Sequence, residues 1–176
     1  MTEKEISEIR NKLEKIYDED QNIRMKWEDG EKKFGPNYLE VKNIIQEAKD
    51  IQEKNLDIVE KILSKYGWLG SNIIGAKANL ALFLVIQHYD DYLVMKKYSN
   101  IIEEAFKKGN IDNKNYAMFN DRLLLSEGKE QLYGTQFIYD EEKKKYVLES
   151  ASNIEEIKKK KEKSRAFFTR RRNRKY

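Results

Sequence analysis

The sequence contains no cysteine, one histidine and one proline. Without cysteine the chain has no disulfide, no thiolate metal site and no cysteine nucleophile, which fits a reducing cytoplasm. A single histidine excludes a histidine-rich metal site within one chain. One proline and 8 glycines among 176 residues leave room for long helices. We therefore expect a cytoplasmic protein with a mainly helical fold.

Long apolar segments are also missing. The longest apolar run, Leu80 to Ile86, is far shorter than the roughly 20 residues that span a bilayer. The N-terminal residues hold no apolar core of the kind that a signal peptide has. Gly70 and Gly75 have P-loop spacing, but Ala76 stands where that motif needs lysine, and no strand is predicted before it. The sequence thus predicts no transmembrane segment and no P-loop.

Charge is distributed unevenly along the chain. Residues 158–176 hold 11 Lys and Arg residues against one acid, whereas the remaining chain has 24 basic and 30 acidic residues. The body is therefore acidic and the C-terminal tail basic, although the net charge is +4. Basic and aromatic residues alternate over 165–176, which suits binding to nucleic acid or to an anionic membrane. A solvated terminus without a binding role is the simpler interpretation.

Apolar residues recur at helical spacing through most of the chain. These stripes predict helices over residues 3–28, 38–65, 75–90, 92–108 and 111–127, and the region 38–65 is either one bent helix or two helices. Thr2 and Glu5 form a capping-box pattern before the first helix, and residues 30–37 are predicted to form a loop. The helix over 75–90 is apolar on nearly every side, so we expect it to lie at the centre.

The period of the pattern changes after Gly128, where short apolar runs flank a charged turn. This change predicts a β-hairpin at about 135–149. We therefore predict a mainly α fold, a multi-helix bundle with a small β-hairpin near the C-terminus. One helical domain is expected over residues 1–163, with a separate basic tail over 164–176.

Short polar and glycine motifs separate the apolar stripes. In chain order they are Asp20-Gln21-x-x-Arg24, Asn55, Gly67-Trp68, Gly75, Gln87-His88-x-Asp90, Asp121-Arg122 and Gly128-x-x-Gln131-x-Tyr133-Gly134-Thr135-Gln136. Over residues 15–165 this set resembles an uncharacterised bacterial domain family with Gly-Trp-Pro, Gln-His-x-Asp, Asp-Arg and Gln-x-Tyr-Gly-Thr-Gln motifs. The run at 131–136 is the most specific part of the resemblance.

The chain departs from that family pattern at three places. Leu69 stands where the family has proline after the tryptophan, and Gln52 stands where it has aspartate three residues before the asparagine. A lysine run precedes Arg165 where the family carries an arginine in its final helix. The resemblance implies a shared polar site, and it brings no known biochemical activity with it.

The only histidine follows the most apolar helix and stands among glutamine and carboxylate residues. Such a histidine either makes a structural hydrogen bond or acts in a pocket. In a pocket, His88 would be the general acid or base, with its basicity raised by Asp90 or Asp91. Arg24 and Arg122 would offer fixed donors to a phosphate or carboxylate.

We predict that the polar motifs converge in one pocket. Its predicted catalytic residues are His88, Asp121 and Arg122. Its predicted ligand-binding residues are Gln21, Arg24, Asn55, Trp68, Gln87, Asp90, Gln131, Tyr133, Gly134, Thr135 and Gln136. No spacing singles out a metal site, and no cofactor is predicted.

Several functions fit these residues. The first hypothesis is a small anionic or nucleotide-like ligand, with hydrolysis assisted by His88. The alternative is non-catalytic binding, either of nucleic acid through residues 165–176 or of a protein partner, as in an immunity or toxin–antitoxin pair. A purely structural interpretation also stays open, in which the polar groups attach the hairpin to the helices and Trp68 fills the edge of the core.

Overall fold

The structure is a computed structural model, and it describes residues 1–35, 38–89, 91–140 and 144–149. Within these residues the chain forms helices and a two-stranded antiparallel hairpin. The elements are α1 (Glu3–Phe34), α2 (Leu39–Tyr66), α3 (Ser71–Ile74), α4 (Ala76–His88), α5 (Tyr92–Lys107), α6 (Asn113–Ser126), β1 (Phe137–Asp140) and β2 (Lys145–Leu148). The predicted mainly α fold with a small hairpin is confirmed. The predicted basic tail lies outside the described residues.

The chain divides into two compact units between Asn110 and Ile111. The first unit contains α1 to α5, and the second contains α6 and the hairpin. A single domain over residues 1–163 stays a prediction.

Helix α1 begins with the predicted capping box. The Thr2 hydroxyl accepts a hydrogen bond from the Glu5 amide at 3.2 Å, and the Glu5 carboxylate accepts one from the Thr2 amide at 2.8 Å. These two bonds satisfy amide groups that have no partner inside the helix. Leu13 and Ile16 of the predicted apolar stripe are buried, and Ile23 further along the helix is buried as well.

The predicted loop over residues 30–37 is wrong for its first part, because α1 continues to Phe34. Gly30 is buried, and a Cβ atom there would lie 3.2 Å from Ile44 Cδ1. The absence of a side chain lets α2 approach α1 closely, and this packing outweighs the low helix propensity of glycine. The helix ends instead at Gly35, whose φ of +85° favours glycine.

Helix α2 is one continuous antiparallel neighbour of α1. The Tyr66 hydroxyl donates to the Glu5 carboxylate at 3.1 Å, and an ion pair of 2.6 Å joins Lys26 to Glu47 further along the pair. Its apolar stripes are buried, and each fully buried aliphatic side chain contributes about 1.5–3 kcal/mol relative to exposure.

Helix α4 packs against α1, α2, α3 and α5, so the central position that its apolar sequence predicts is confirmed. The short helix α3 was not predicted. The end of α3 is held by Arg10 of α1, whose guanidinium donates to the carbonyl oxygens of Ile73 and Ile74 at 3.1 Å each. These contacts fix the start of α4 against α1. They thereby position His88, the last residue of α4, along α1.

The hairpin pairs Phe137 with Leu148 and Asp140 with Lys145. Its position agrees with the change of sequence period after Gly128. No helix in the described ranges combines the length and the apolar character that crossing a membrane requires.

Candidate functional site

The only imidazole lies against α1. Because α1 and α4 pack together, Asp20 and Arg24, one helical turn apart, both reach His88 at the end of α4. The Nδ1 atom of His88 is 3.0 Å from each carboxylate oxygen of Asp20. The same Nδ1 atom is 2.9 Å from Nε of Arg24. We call these three residues the His88 cluster.

The Nδ1 atom cannot serve both neighbours, because it carries either a proton or a lone pair. We assign the proton to Nδ1, since a lone pair there would face two carboxylate oxygens. The N–H group then donates to Asp20, and Nε of Arg24 donates to Oδ1 of Asp20 at 3.3 Å. In this assignment Nδ1 of His88 and Nε of Arg24 both donate to the Asp20 carboxylate.

Asp20 is 5% exposed, yet it stays ionised. Burial by itself raises the pKa of this carboxyl group. The hydrogen bond and charge of His88, the charge of Arg24 and a 2.8 Å hydrogen bond from Gln21 outweigh burial, so the pKa lies below its ordinary value. A buried carboxylate with these donors orients the imidazole.

The lowered pKa of Asp20 predicts a contribution to acid stability. The folded pKa lies below the unfolded value of about 3.9, so the contribution is complete above that pH and is lost as pH falls through the folded pKa. We expect the unfolding free energy of Asp20→Asn to fall less steeply below about pH 4 than that of the native chain. Denaturant unfolding across this range measures it.

Arg24 keeps its outer nitrogens available. In the residues that the structure describes, Nε makes the hydrogen bond of this side chain, to Oδ1 of Asp20, and Nη1 and Nη2 have no partner. The side chain is 29% exposed, and that of His88 is 18% exposed. The cluster therefore reaches solvent on the side where a guanidinium presents its paired N–H donors.

Two predicted ligand-binding residues lie in the core of the first unit. Asn55 is 2% exposed on α2, and its Oδ1 atom has no hydrogen-bond partner within the described ranges. Gln87 is buried beside His88 in sequence. Asp91 caps α5 by accepting a hydrogen bond from the Leu93 amide at 2.8 Å. Asp90 lies outside the described residues, so the carboxylate observed on the imidazole is that of Asp20.

Trp68 makes a structural contact away from the His88 cluster. Its Nε1 atom donates to Oδ1 of Asn79 at 2.9 Å, and Nδ2 of Asn79 donates to the Asn110 carbonyl at 2.7 Å. This chain of bonds connects the loop before α3 to the end of α5 through α4. The contact agrees with the interpretation of Trp68 as a residue at the edge of the core.

The second unit is organised around Asp121, which is fully buried. Oδ1 accepts hydrogen bonds from the Leu132 and Tyr133 amides at 2.8 and 2.9 Å. Oδ2 accepts from the amide and the hydroxyl of Thr135, both at 2.8 Å. One carboxylate on α6 thus fixes the following turn through four bonds, as the structural interpretation of this motif expects. A catalytic role for Asp121 stays a prediction.

The remaining residues of the 131–136 run complete this turn. The side-chain Nε2 atom of Gln131 donates to the backbone carbonyls of Gln136 and Glu149. The side-chain oxygen of Gln131 accepts from the Gln136 backbone amide, and the three bonds measure 2.7 to 3.0 Å. Gly134 has a φ of +63°, which favours glycine. Tyr133 is 36% exposed. Burial, followed by the nearby Tyr116 and Asp121, raises its pKa. Arg122 follows Asp121 on α6 and is half-buried.

The structure brings together Gln21, Arg24 and His88 in the first unit, and Asp121, Gln131, Thr135 and Gln136 in the second. Convergence of both sets in a single pocket stays a prediction. The list of predicted site residues omitted Asp20. The Asp20-Gln21-x-x-Arg24 motif could have identified Asp20 as a site residue, because its carboxylate lies beside the imidazole in the structure.

No set of three or more His, Asp or Glu side chains in the described ranges is arranged to hold a metal ion. The comparison with curated proteins and the comparison with solved structures each found no match. A family of unknown function, DUF6624, matches residues 7–162 of the chain. The resemblance to an uncharacterised domain family is thereby confirmed at the level of the family. Because the match covers most of the sequence, the chain belongs to DUF6624.

Proposed function

We propose that the His88 cluster binds a small anionic ligand and that His88 acts there as a general acid–base. The observation that carries the proposal is the 3.0 Å contact of His88 Nδ1 with both oxygens of the buried Asp20 carboxylate. A carboxylate held against one imidazole nitrogen fixes the ring and stabilises the imidazolium, which is the arrangement that proton-transfer sites use.

Arg24 supports the anionic character of the ligand. Its Nε atom is engaged at the cluster, whereas the two Nη atoms carry four N–H donors on a partly exposed side chain. A phosphate or carboxylate oxygen accepts two such donors at once, so the guanidinium would position the ligand beside the imidazole. In a hydrolytic reaction His88 would then take a proton from water and return it to the leaving group. Asp20 would act as the positioning residue.

The presence of one histidine in the chain makes the proposal testable without a known substrate. Inorganic phosphate, dimethyl phosphate, acetate and a nucleoside monophosphate would be titrated into the protein while the two imidazole C–H proton signals are followed by NMR. We expect at least one of these anions to shift both signals saturably, at constant ionic strength held with chloride. Signals that follow chloride and every added anion equally would contradict the proposal, because they would reflect bulk ionic strength.

The surface of α2 favours a second candidate, binding of a basic protein partner. A cleft of about 510 Å³ is lined by Asp50, Glu53 and Asp57 together with Lys54, Leu56 and Tyr89. Such a surface attracts a cationic partner over a distance that shortens with added salt. A stoichiometric protein that co-purifies with the chain and dissociates in high salt would support this candidate. Reversing the charge of Glu53 should then weaken the complex while leaving anion binding at the His88 cluster unchanged.

A further inference from the structure

The Asp20 carboxylate receives a hydrogen bond from α1 on each of its oxygens. The side-chain Nε2 atom of Gln21 donates to Oδ2 at 2.8 Å, and Nε of Arg24 donates to Oδ1 at 3.3 Å. The bond from Gln21 is the shorter of the two. Nδ1 of His88 lies 3.0 Å from both oxygens. The carboxylate therefore faces the imidazole evenly, with one α1 side chain holding each oxygen.

The orientation of the Gln21 amide follows from its partner. An ionised carboxylate only accepts hydrogen bonds, so the NH2 group of Gln21, and not its oxygen, must face Asp20. Among the residues with described positions, the Gln21 side chain makes this hydrogen bond and no other. The side chain is half-buried, and its amide is directed to Asp20.

A guanidinium has a second way of holding a carboxylate. The two groups commonly pair through two parallel N–H···O bonds, which engage both carboxylate oxygens. Here a single bond of 3.3 Å joins Arg24 to Asp20, and Oδ2 is bonded to Gln21. Turning the carboxylate into the two-bond pair would break the Gln21 bond and draw Asp20 away from Nδ1 of His88. It would also engage an outer nitrogen of Arg24.

We propose that Gln21 is a positioning residue, which holds the Asp20 carboxylate towards His88 and so keeps the outer nitrogens of Arg24 available to the ligand. This inference rests on the proposed function and adds a residue to its site. A neutral donor suits the role, because it satisfies Oδ2 without placing a second positive charge beside Arg24. The role differs from the direct ligand contact that the sequence predicts for Gln21.

The test compares Gln21→Met with the native chain. The substitution keeps the length of the side chain and removes its donor. With no anion added and the imidazole neutral, ¹⁵N NMR of the single histidine gives the ratio of the Nδ1-protonated form to the Nε2-protonated form. We expect this ratio to fall about fivefold in Gln21→Met, since a lost hydrogen bond of about 1 kcal/mol corresponds to that factor.

Two further variants separate the effect of the hydrogen bond from a general effect of substitution. Gln46→Met is a matched control, because Nε2 of Gln46 donates to an Asp50 carboxylate oxygen at 2.9 Å on the exposed side of α2. It should leave the ratio unchanged. Gln21→Lys restores a donor of similar reach, and it should return the ratio towards the native value.

A ratio that Gln21→Met leaves unchanged, an equal change in Gln46→Met, or no recovery in Gln21→Lys would overturn the inference. These measurements need no ligand, so they are independent of the anion titrations that test the proposed function. If an anion binds the native chain while Gln21→Met leaves the ratio unchanged, the proposed function stands without Gln21. If no anion binds but the ratio falls, the proposed function fails while the hold of Gln21 on Asp20 stands.

Discussion

Replacing Asp121 with alanine should destabilise the second unit by about 3–5 kcal/mol. The carboxylate is fully buried, and it accepts hydrogen bonds from the Leu132, Tyr133 and Thr135 amides and from the Thr135 hydroxyl. Alanine would leave these donors without an acceptor, and each unsatisfied buried donor costs about 1–3 kcal/mol before the structure relaxes.

Amide hydrogen exchange measures this effect within the second unit. The Thr135 amide should lose most of its protection in Asp121→Ala. Asp112→Ala is a matched control beside the same helix, because Asp112 caps α6 by accepting a 2.8 Å hydrogen bond from the Asn115 backbone amide and a 3.0 Å bond from its side chain. Loss of that cap should cost only about 1 kcal/mol. If Asp121→Ala cost no more than Asp112→Ala, the carboxylate would not be the group that fixes the turn.

Replacing Arg24 with glutamine should weaken anion binding by about a hundredfold and leave the fold intact. Two charge-assisted hydrogen bonds from one guanidinium contribute on the order of 3 kcal/mol, which corresponds to that ratio. The side chain is 29% exposed, and its loss leaves Asp20 with the donors of His88 and Gln21. Titration of the preferred anion, followed by the His88 signals, measures the change.

Lys26→Gln is the control for this prediction. It removes one positive charge from α1 at an exposed side chain that pairs with Glu47. A bulk electrostatic effect would weaken binding similarly in both variants, whereas a guanidinium that contacts the ligand makes the loss specific to Arg24→Gln. Equal losses would remove Arg24 from the site. Arg24→Lys should recover only part of the affinity, since an ammonium cannot offer the paired donors of a guanidinium.

Local patterns predicted most of the helices, because burial of a helix face requires apolar residues at fixed spacing. The capping box at Thr2 and the central position of α4 follow directly from such patterns. The end of α1 did not, because a glycine inside a helix carries no local sign that another helix will pack on it. Gly30 lies against Ile44, and only the folded chain brings those residues together.

The sequence predicted which residue types form the site, but it did not predict which side chains contact each other. His88 and Arg24 were identified from their setting, but the ion pair of Asp20 with Arg24 also fits an ordinary solvated helix surface. The contact that makes Asp20 informative joins residues 68 positions apart, which no spacing along one helix can indicate. Asp121 is the opposite case. The sequence predicts it as a site residue, and in the structure its carboxylate accepts four hydrogen bonds that hold a turn.

The bond between Asp20 and His88 is tested most directly by the protonation pattern of the single imidazole. Long-range ¹⁵N–¹H NMR spectra of uniformly ¹⁵N-labelled protein distinguish a proton on Nδ1 from one on Nε2. They would be recorded at a pH above the midpoint of the His88 titration, where the imidazole is neutral. We predict that neutral His88 carries its proton on Nδ1 in the native chain and that Asp20→Asn shifts the population towards Nε2. A native spectrum with the proton on Nε2, unchanged by Asp20→Asn, would show that the carboxylate does not hold the ring.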